Sequence, residues 1–237
     1  PYVVKILVPN GAPGNYAACT GSVVARDVVF AAAHCFGETR FSLVKKGLKG
    51  VKVCGGYYKR TPSEMVKFLE GSKFCVGVEA VKIPAKFGNA FEGHDLSVIK
   101  LKKPIKNTRV VTVSFKDKGP NYKAPGFVRG WGTVNPDMTK WTNVLKELPV
   151  LIQKAVGFKY AAYFLLITSD KGQVCHGDSG GPVVVQPWKQ VNWRRHVLVG
   201  VSSWGPEVNN HCKPGLPTYY SRFGHPKHAI FLKKVVA

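Results

Sequence analysis

Carboxylates are scarce in this chain. Its 237 residues carry 13 Asp plus Glu against 35 Lys plus Arg, a formal net charge of +22. That surplus favours contact with polyanions such as nucleic acid, sulfated glycans or an anionic surface, and it says nothing direct about fold. Long apolar runs are missing too. The longest stretches, such as Ala161–Ile167, are core-sized and fall far short of the about 18 residues a membrane helix needs, which excludes such a helix. The six cysteines include no C-x-x-C pair, so a tetrahedral zinc site is not expected. No Asn-x-Ser/Thr triplet occurs, and N-linked glycan is therefore not expected. The start, Pro1-Tyr2-Val3-Val4, lacks the pattern of a secretion leader, so the chain reads as mature. Internal repeats and low-complexity tracts are absent.

What is present is ordinary globular material, with 45% hydrophobic and 11% aromatic residues, enough to bury a sizeable core. Short runs rich in Val, Ile, Tyr and Phe recur between Gly, Pro and Asn breaks. Val3–Val8, Ser22–Ala25, Val28–Ala31, Ser42–Val44, Leu96–Leu101, Val110–Phe115, Gly126–Gly130, Val183–Val185, Val197–Val201 and Thr218–Phe223 read as strands. So many short strands point to a sandwich or barrels and not to alternating βα units. Helical period is confined to Pro62–Glu70 and Pro226–Val236, the second a short basic helix at the end. An even cysteine set fits three disulfides in an oxidising compartment, and composition leaves the pairing open.

One segment stands apart, Gly177-Asp178-Ser179-Gly180-Gly181-Pro182. A nucleophilic serine needs an exposed hydroxyl on a tight turn whose backbone N–H groups converge on a developing oxyanion, and glycines permit that turn. Upstream, Ala31-Ala32-Ala33-His34-Cys35 sets a histidine at the end of an apolar strand, and His94-Asp95-Leu96 opens another strand with a carboxylate. The chain order His, Asp, Ser distinguishes this arrangement from other folds that use the same chemistry.

These motifs, with Pro1-Tyr2, Cys19-x-Gly21, Gly130-Trp131-Gly132, Ser203-Trp204-Gly205, Pro214-Gly215 and the terminal helix, resemble the chymotrypsin/trypsin family of serine endopeptidases over nearly the whole length. The resemblance implies an all-β fold of two six-stranded Greek-key barrels with a C-terminal helix. The first, residues 1–108, would carry His34 and Asp95; the second, 109–237, would carry Ser179 and the helix at about 226–236. It implies Ser179 as nucleophile, His34 as general base and then acid, and Asp95 as the group that orients the imidazole, with Gly177 and Ser179 N–H forming the oxyanion hole. Ser203, Trp204 and Gly205 would pair with an extended substrate, and Gln173 and Gly215 would shape the primary pocket. Cys19–Cys35 and Cys175–Cys212 match family disulfides, leaving Cys54 with Cys75. The expected partners are a protein or peptide substrate, protein protease inhibitors, and a sulfated glycan or other polyanion. The expected setting is a monomer outside the cell or in a secretory granule, without cofactor.

The sequence departs from that family in three places. Gln173, six residues before Ser179, stands where a carboxylate would select Arg or Lys, so cleavage after an uncharged side chain is expected. The span matching the family's calcium loop, Arg40–Arg60, contains no Asp or Glu, and calcium needs several anionic oxygens. Residues matching the family's N-terminus, whose ammonium pairs with the aspartate before the serine, lie upstream of Pro1. Ala17 replaces the histidine that holds this aspartate in inactive precursors. Asp178 is thus expected to need another cation, a proton or solvent. These departures and the charge keep a second reading alongside the enzyme, a non-catalytic cationic polyanion-binding protein on the same scaffold. Trp131 and Trp141 read as packing, and His94, His176, His211, His225 and His228 as surface residues.

Overall fold

The computed structural model describes residues 2–10, 16–37, 47–55, 74–116, 124–135, 140, 142, 144–185, 196–207 and 212–236. The expected strand Ser42–Val44 and helix Pro62–Glu70, with Trp141 and His211, lie outside them.

Strands β1 (Val3–Pro9), β2 (Tyr16–Ala25), β3 (Val28–Ala31), β4 (Lys52–Cys54), β5 (Cys75–Lys82) and β6 (Ser97–Leu101) close a barrel in the order β1-β2-β3-β6-β5-β4. Strand β1 is buried from Val3 to Val8 on both faces, and its alternation explains why. Val4, Ile6 and Val8 join Val29, Val53 and Ile99 inside this barrel. Val3 and Leu7 point the other way, into a cluster with Trp131, Val184, Leu198, Val201 and Phe223 of the later half of the chain.

That half contributes β7 (Thr112–Val113), β8 (Ala124–Gly130), β9 (Lys146–Lys154), β10 (Phe164–Thr168), β11 (Pro182–Val185), β12 (Val197–Trp204) and β13 (Thr218–Arg222). Six of these run β11-β8-β9-β10-β13-β12, and the β11–β12 pairing closes a second six-stranded barrel, with β7 parallel on the outside of β12. Helix α1 (Pro226–Val236) starts on proline, whose missing N–H costs nothing in a first turn. Its Leu232 joins the shared cluster while Ile230 faces solvent. Two six-stranded barrels and a terminal helix are the expected architecture.

The strand expected at Val110–Phe115 is observed as two residues, with the residue before it bonded to the first barrel and the residue after it still bonded to β12. Val111 N–H donates to Val23 O of the first barrel at 2.9 Å, and Ser114 N–H to Leu198 O at 3.0 Å. Strands β4, β5, β9 and β10 were not expected. In β9 only Val150 and Ile152 are buried, and Pro149 and charged ends mask the alternation. Three disulfides, Cys19–Cys35, Cys54–Cys75 and Cys175–Cys212, match the expected pairing, the second joining register partners of β4 and β5.

Candidate active site

His34 begins a short 3-10 turn three residues after the end of β3, and Asp95 lies two residues before β6. Because β3 and β6 are antiparallel neighbours, with Ala31 opposite Ser97, the two residues emerge side by side at one end of the barrel. Ser97 Oγ donates to Ala32 O at 3.0 Å and ties those ends together. The Asp95 carboxylate is fully buried. Its Oδ1 accepts the His34 backbone N–H at 2.9 Å, and its Oδ2 takes Nδ1–H of the His34 ring at 2.7 Å. Oδ2 also accepts the Ser203 hydroxyl at 2.6 Å, while Ser221 Oγ donates to the Asp95 carbonyl at 2.8 Å.

Burial raises the Asp95 pKa, but the His34 charge and the hydrogen bonds from His34 and Ser203 outweigh it, leaving Asp95 below the ordinary carboxylate range. For His34, burial favours the neutral ring, and the charge and hydrogen bond of Asp95 more than offset that, so its pKa is raised. The sulfurs beside His34 belong to the Cys19–Cys35 disulfide, so this corner offers an imidazole and no thiolate for a metal.

Ser179 sits on the turn entering β11. Its carbonyl accepts Thr20 N–H of β2 at 2.8 Å and lies 3.7 Å from the Cys35 sulfur, which brings the serine to the His34 corner. Gly180 permits that approach: its φ is +77°, and a Cβ there would lie 2.6 Å from Thr20 O and 2.7 Å from Ala32 N. Within the turn, Asp178 N–H donates to Cys175 O at 3.0 Å and Gly180 N–H to Ser202 O at 2.8 Å. Among the described residues no acceptor takes the N–H of Gly177 or of Ser179. Nor does a hydrogen bond join Ser179 Oγ to His34 Nε2.

Ser179, Gln173, Ser203, Trp204 and Gly205 line one cavity of about 210 Å³. Gln173 spans it, with Nε2 donating to Pro206 O at 3.1 Å and Oε1 accepting Lys213 N–H at 2.7 Å. Gly215 does not line this cavity, and its N–H is taken by Ser169 O at 2.8 Å. At the rim, His176 Nε2 lies 2.9 Å from Glu207 Oε1.

Two expected surface histidines are core residues. His94 is packed against Tyr163 and His228, and the His228 ring is fully buried with its nitrogens 2.8 Å from Arg222 O and 2.6 Å from Gly93 O. They fill the contact between helix α1 and the loop that carries Asp95. Sequence reasoning also missed Ser221, Thr20 and Lys5. The last is 8% exposed, and a lone lysine inside the apolar run Val3–Val8 was the signal that could have found it.

Similarity to known proteins agrees with this architecture. The protein-family model described as Trypsin matches residues 1–226. The chain is 29% identical over 227 residues to a trypsin of Sarcophaga bullata, covering 91% of this chain and 78% of that one. It is 29% identical over 213 residues to cationic trypsin-3 of Rattus norvegicus, covering 86% and 76% of the two chains. A trypsin of Saccharopolyspora erythraea is 26% identical over 231 residues, covering 94% and 88%. With a family match spanning nearly all of its length and two closed barrels beneath it, this chain belongs to the trypsin family, as a serine protease domain.

Proposed function

We propose that the protein is a secreted serine endopeptidase using Ser179, His34 and Asp95 through an acyl-enzyme. Ser179 Oγ attacks the scissile carbonyl carbon while its proton passes to His34 Nε2. The imidazolium then gives that proton to the leaving amine, and a water molecule activated by the same nitrogen hydrolyses the acyl ester. The observation that carries this reading is the closed set of donors on Asp95, two from His34 and one from Ser203. It commits Nδ1 of His34 to the carboxylate and leaves Nε2 to exchange the proton. The N–H groups of Gly177 and Ser179 serve the tetrahedral oxyanion, each donor contributing about 3 kcal/mol in this chemistry. The Ser179–His34 bond closes in the substrate complex, as catalytic hydrogen bonds that are long without substrate often do.

The pocket reading follows from Gln173. Its amide is committed to Pro206 O and Lys213 N–H, so no floor carboxylate meets a substrate cation. Cleavage therefore follows aromatic, Leu or other uncharged side chains, and a peptide-library profile dominated by Arg and Lys would overturn this. The end of β12, Ser203 to Gly205, pairs with the extended substrate backbone. The functional division is residues 1–108 with His34 and Asp95 and 109–237 with Ser179. Three disulfides support an oxidising, extracellular or granule location. The +22 charge, with Lys227, Lys233 and Lys234 on α1 and Lys49 and Lys52 near β4, supports sulfated-glycan binding, read as a salt-sensitive heparin affinity.

The test is labelling with a serine-directed fluorophosphonate. Labelling that Ser179→Ala abolishes supports the enzyme. Absence of labelling in a folded chain overturns it and returns the cationic binding protein.

A further inference from the structure

Asp178 is a charged group that the chemistry above does not use. It is half-buried against Gly130, Gly132 and Cys175 of the second barrel, with part of its surface on a cavity of about 230 Å³. Its neighbours are shaped around it, since a Cβ at Gly130 or Gly132 would collide with the carboxylate. Oδ1 accepts Gly132 N–H at 2.8 Å and Oδ2 accepts Cys175 N–H at 3.1 Å. Two donors leave a carboxylate with acceptor capacity to spare and a negative charge to compensate.

The compensation comes from the other barrel. Strand β1 is apolar on both faces except at Lys5. Period-2 alternation turns Lys5 to the same face as Val3 and Leu7, toward the cluster shared by the barrels. Its register partner in β2 is Thr20, whose side chain leaves the same face. Thr20 grips both residues that flank Asp178: Oγ1 donates to Gly177 O at 2.8 Å, and N–H donates to Ser179 O at 2.8 Å. The β1–β2 pair therefore meets the nucleophile turn at this register, with the buried Lys5 opposite the residue that makes the contact.

We infer that Lys5 is the internal counter-cation of Asp178 and a positioning residue for the Gly177–Ser179 turn, acting through space from the first barrel. The inference rests on the protease reading only for its kinetic consequence. Lys5 and Asp178 form no ion pair within 4.0 Å; the charge of the buried Lys5 acts on the half-buried carboxylate without contact, and burial of one partner reduces the screening. Burial pushes the Asp178 pKa up to about 6 against the lowering by the Cys175 and Gly132 N–H bonds and, as a smaller contribution, by the Lys5 charge, the cation among the described residues that acts on it. Burial likewise lowers the Lys5 pKa, and the Asp178 charge raises it back. The other groups facing this carboxylate are the Tyr220 phenol and, around the cavity, Lys146, Lys171 and the mutually paired Arg129 and Glu147. An ionised Asp178 accepts from Gly132 and Cys175 as a charged acceptor, whereas protonation weakens both bonds and with them the hold on the turn whose N–H groups serve the oxyanion.

The test is the titration of the Asp178 carboxyl carbon by ¹³C NMR, assigned by its loss in Asp178→Asn, in the full chain and in Lys5→Met and Lys5→Arg. The wild-type midpoint is expected near 6. Lys5→Met, nearly isosteric and apolar, should raise it by a few tenths of a pH unit, about half a unit at most, and Lys5→Arg should keep it near the wild-type value. The acid limb of kcat/KM should move up with it in Lys5→Met and recover in Lys5→Arg. An unchanged midpoint in folded Lys5→Met overturns the pairing, and a shifted midpoint with an unmoved acid limb overturns the positioning role. If Lys5→Met does not fold, adding Asp178→Asn decides. Restored folding supports an uncompensated carboxylate, and continued unfolding overturns it. A chain inert to fluorophosphonate fails as a protease, while the NMR titration still decides the pairing.

Discussion

Two aspartates flank the same cleft, and the protein treats them in opposite ways. Asp95 is held below the ordinary carboxylate range, whereas Asp178 is raised to about 6. Burial pushes both upward, so the difference lies in what answers it. Asp95 has an imidazole in contact at 2.7 Å, a serine hydroxyl at 2.6 Å and a backbone N–H. Asp178 has two backbone N–H groups and an ammonium that acts without contact. A charged donor at hydrogen-bond distance reverses the cost of burial, and neutral amides with a remote cation only reduce it. The comparison separates a carboxylate built to stay ionised from one poised to change state near neutrality.

The largest expected effect breaks the Asp95 side. Asp95→Asn keeps the shape but offers an NH₂ group where an acceptor stood, so His34 adopts the wrong tautomer. We expect kcat to fall on the order of 10⁴-fold with the unfolding midpoint little changed. Stopped-assay kinetics on a peptide amide check this, and a loss below tenfold would mean that Asp95 does not orient the base.

The second prediction uses the opposite signs. Asp95, with its depressed pKa, adds stability at neutral pH that is lost as pH falls through its native value. Asp178 does the reverse. Between its ordinary value of 3.8 and about 6 the native state holds a proton that the unfolded state has released, so stability falls as pH rises through that window. The change is at most about 3 kcal/mol, less where solvent screens the half-buried carboxylate. Denaturant unfolding from pH 4 to 7 should show that slope in the wild type and a flatter one in Asp178→Asn. Equal slopes would show that Asp178 does not titrate there.

The same contrast explains what could be read from residues alone. His34, Asp95 and Ser179 each sit in a short local pattern, and local chemistry is legible without a fold. The barrels were legible because short β-rich runs repeat between breaks. Strand β9 escaped because Pro149 and its charged ends hide a two-residue buried stripe. His94 and His228 escaped because their burial comes from helix α1 closing on the Asp95 loop, a contact between distant segments. Lys5 was visible as an oddity in an apolar strand, yet its meaning needed Thr20 and the register that sets both against the nucleophile turn.

The smallest effects sharpen the comparison through one hydroxyl on each side. Ser203 donates to a carboxylate, and Thr20 donates to the neutral Gly177 carbonyl at 2.8 Å. Hydrogen bonds to a charged partner are worth more, so Ser203→Ala should destabilise by about 2 kcal/mol at pH 7. That deficit should shrink as pH falls and Asp95 takes up a proton, because the lost donor served mainly the ionised form. Thr20→Val keeps the shape of a side chain with no exposed surface and removes only the hydroxyl. Neither Thr20 nor Gly177 titrates, so its cost of about 1 kcal/mol should be the same at pH 7 and pH 4. Denaturant unfolding of both variants at the two pH values provides the measurement. A Thr20→Val deficit that grows toward neutral pH would mean that this hydroxyl supports the ionised Asp178 through the turn, and the division between charged and neutral anchoring on the two sides of the cleft would fall.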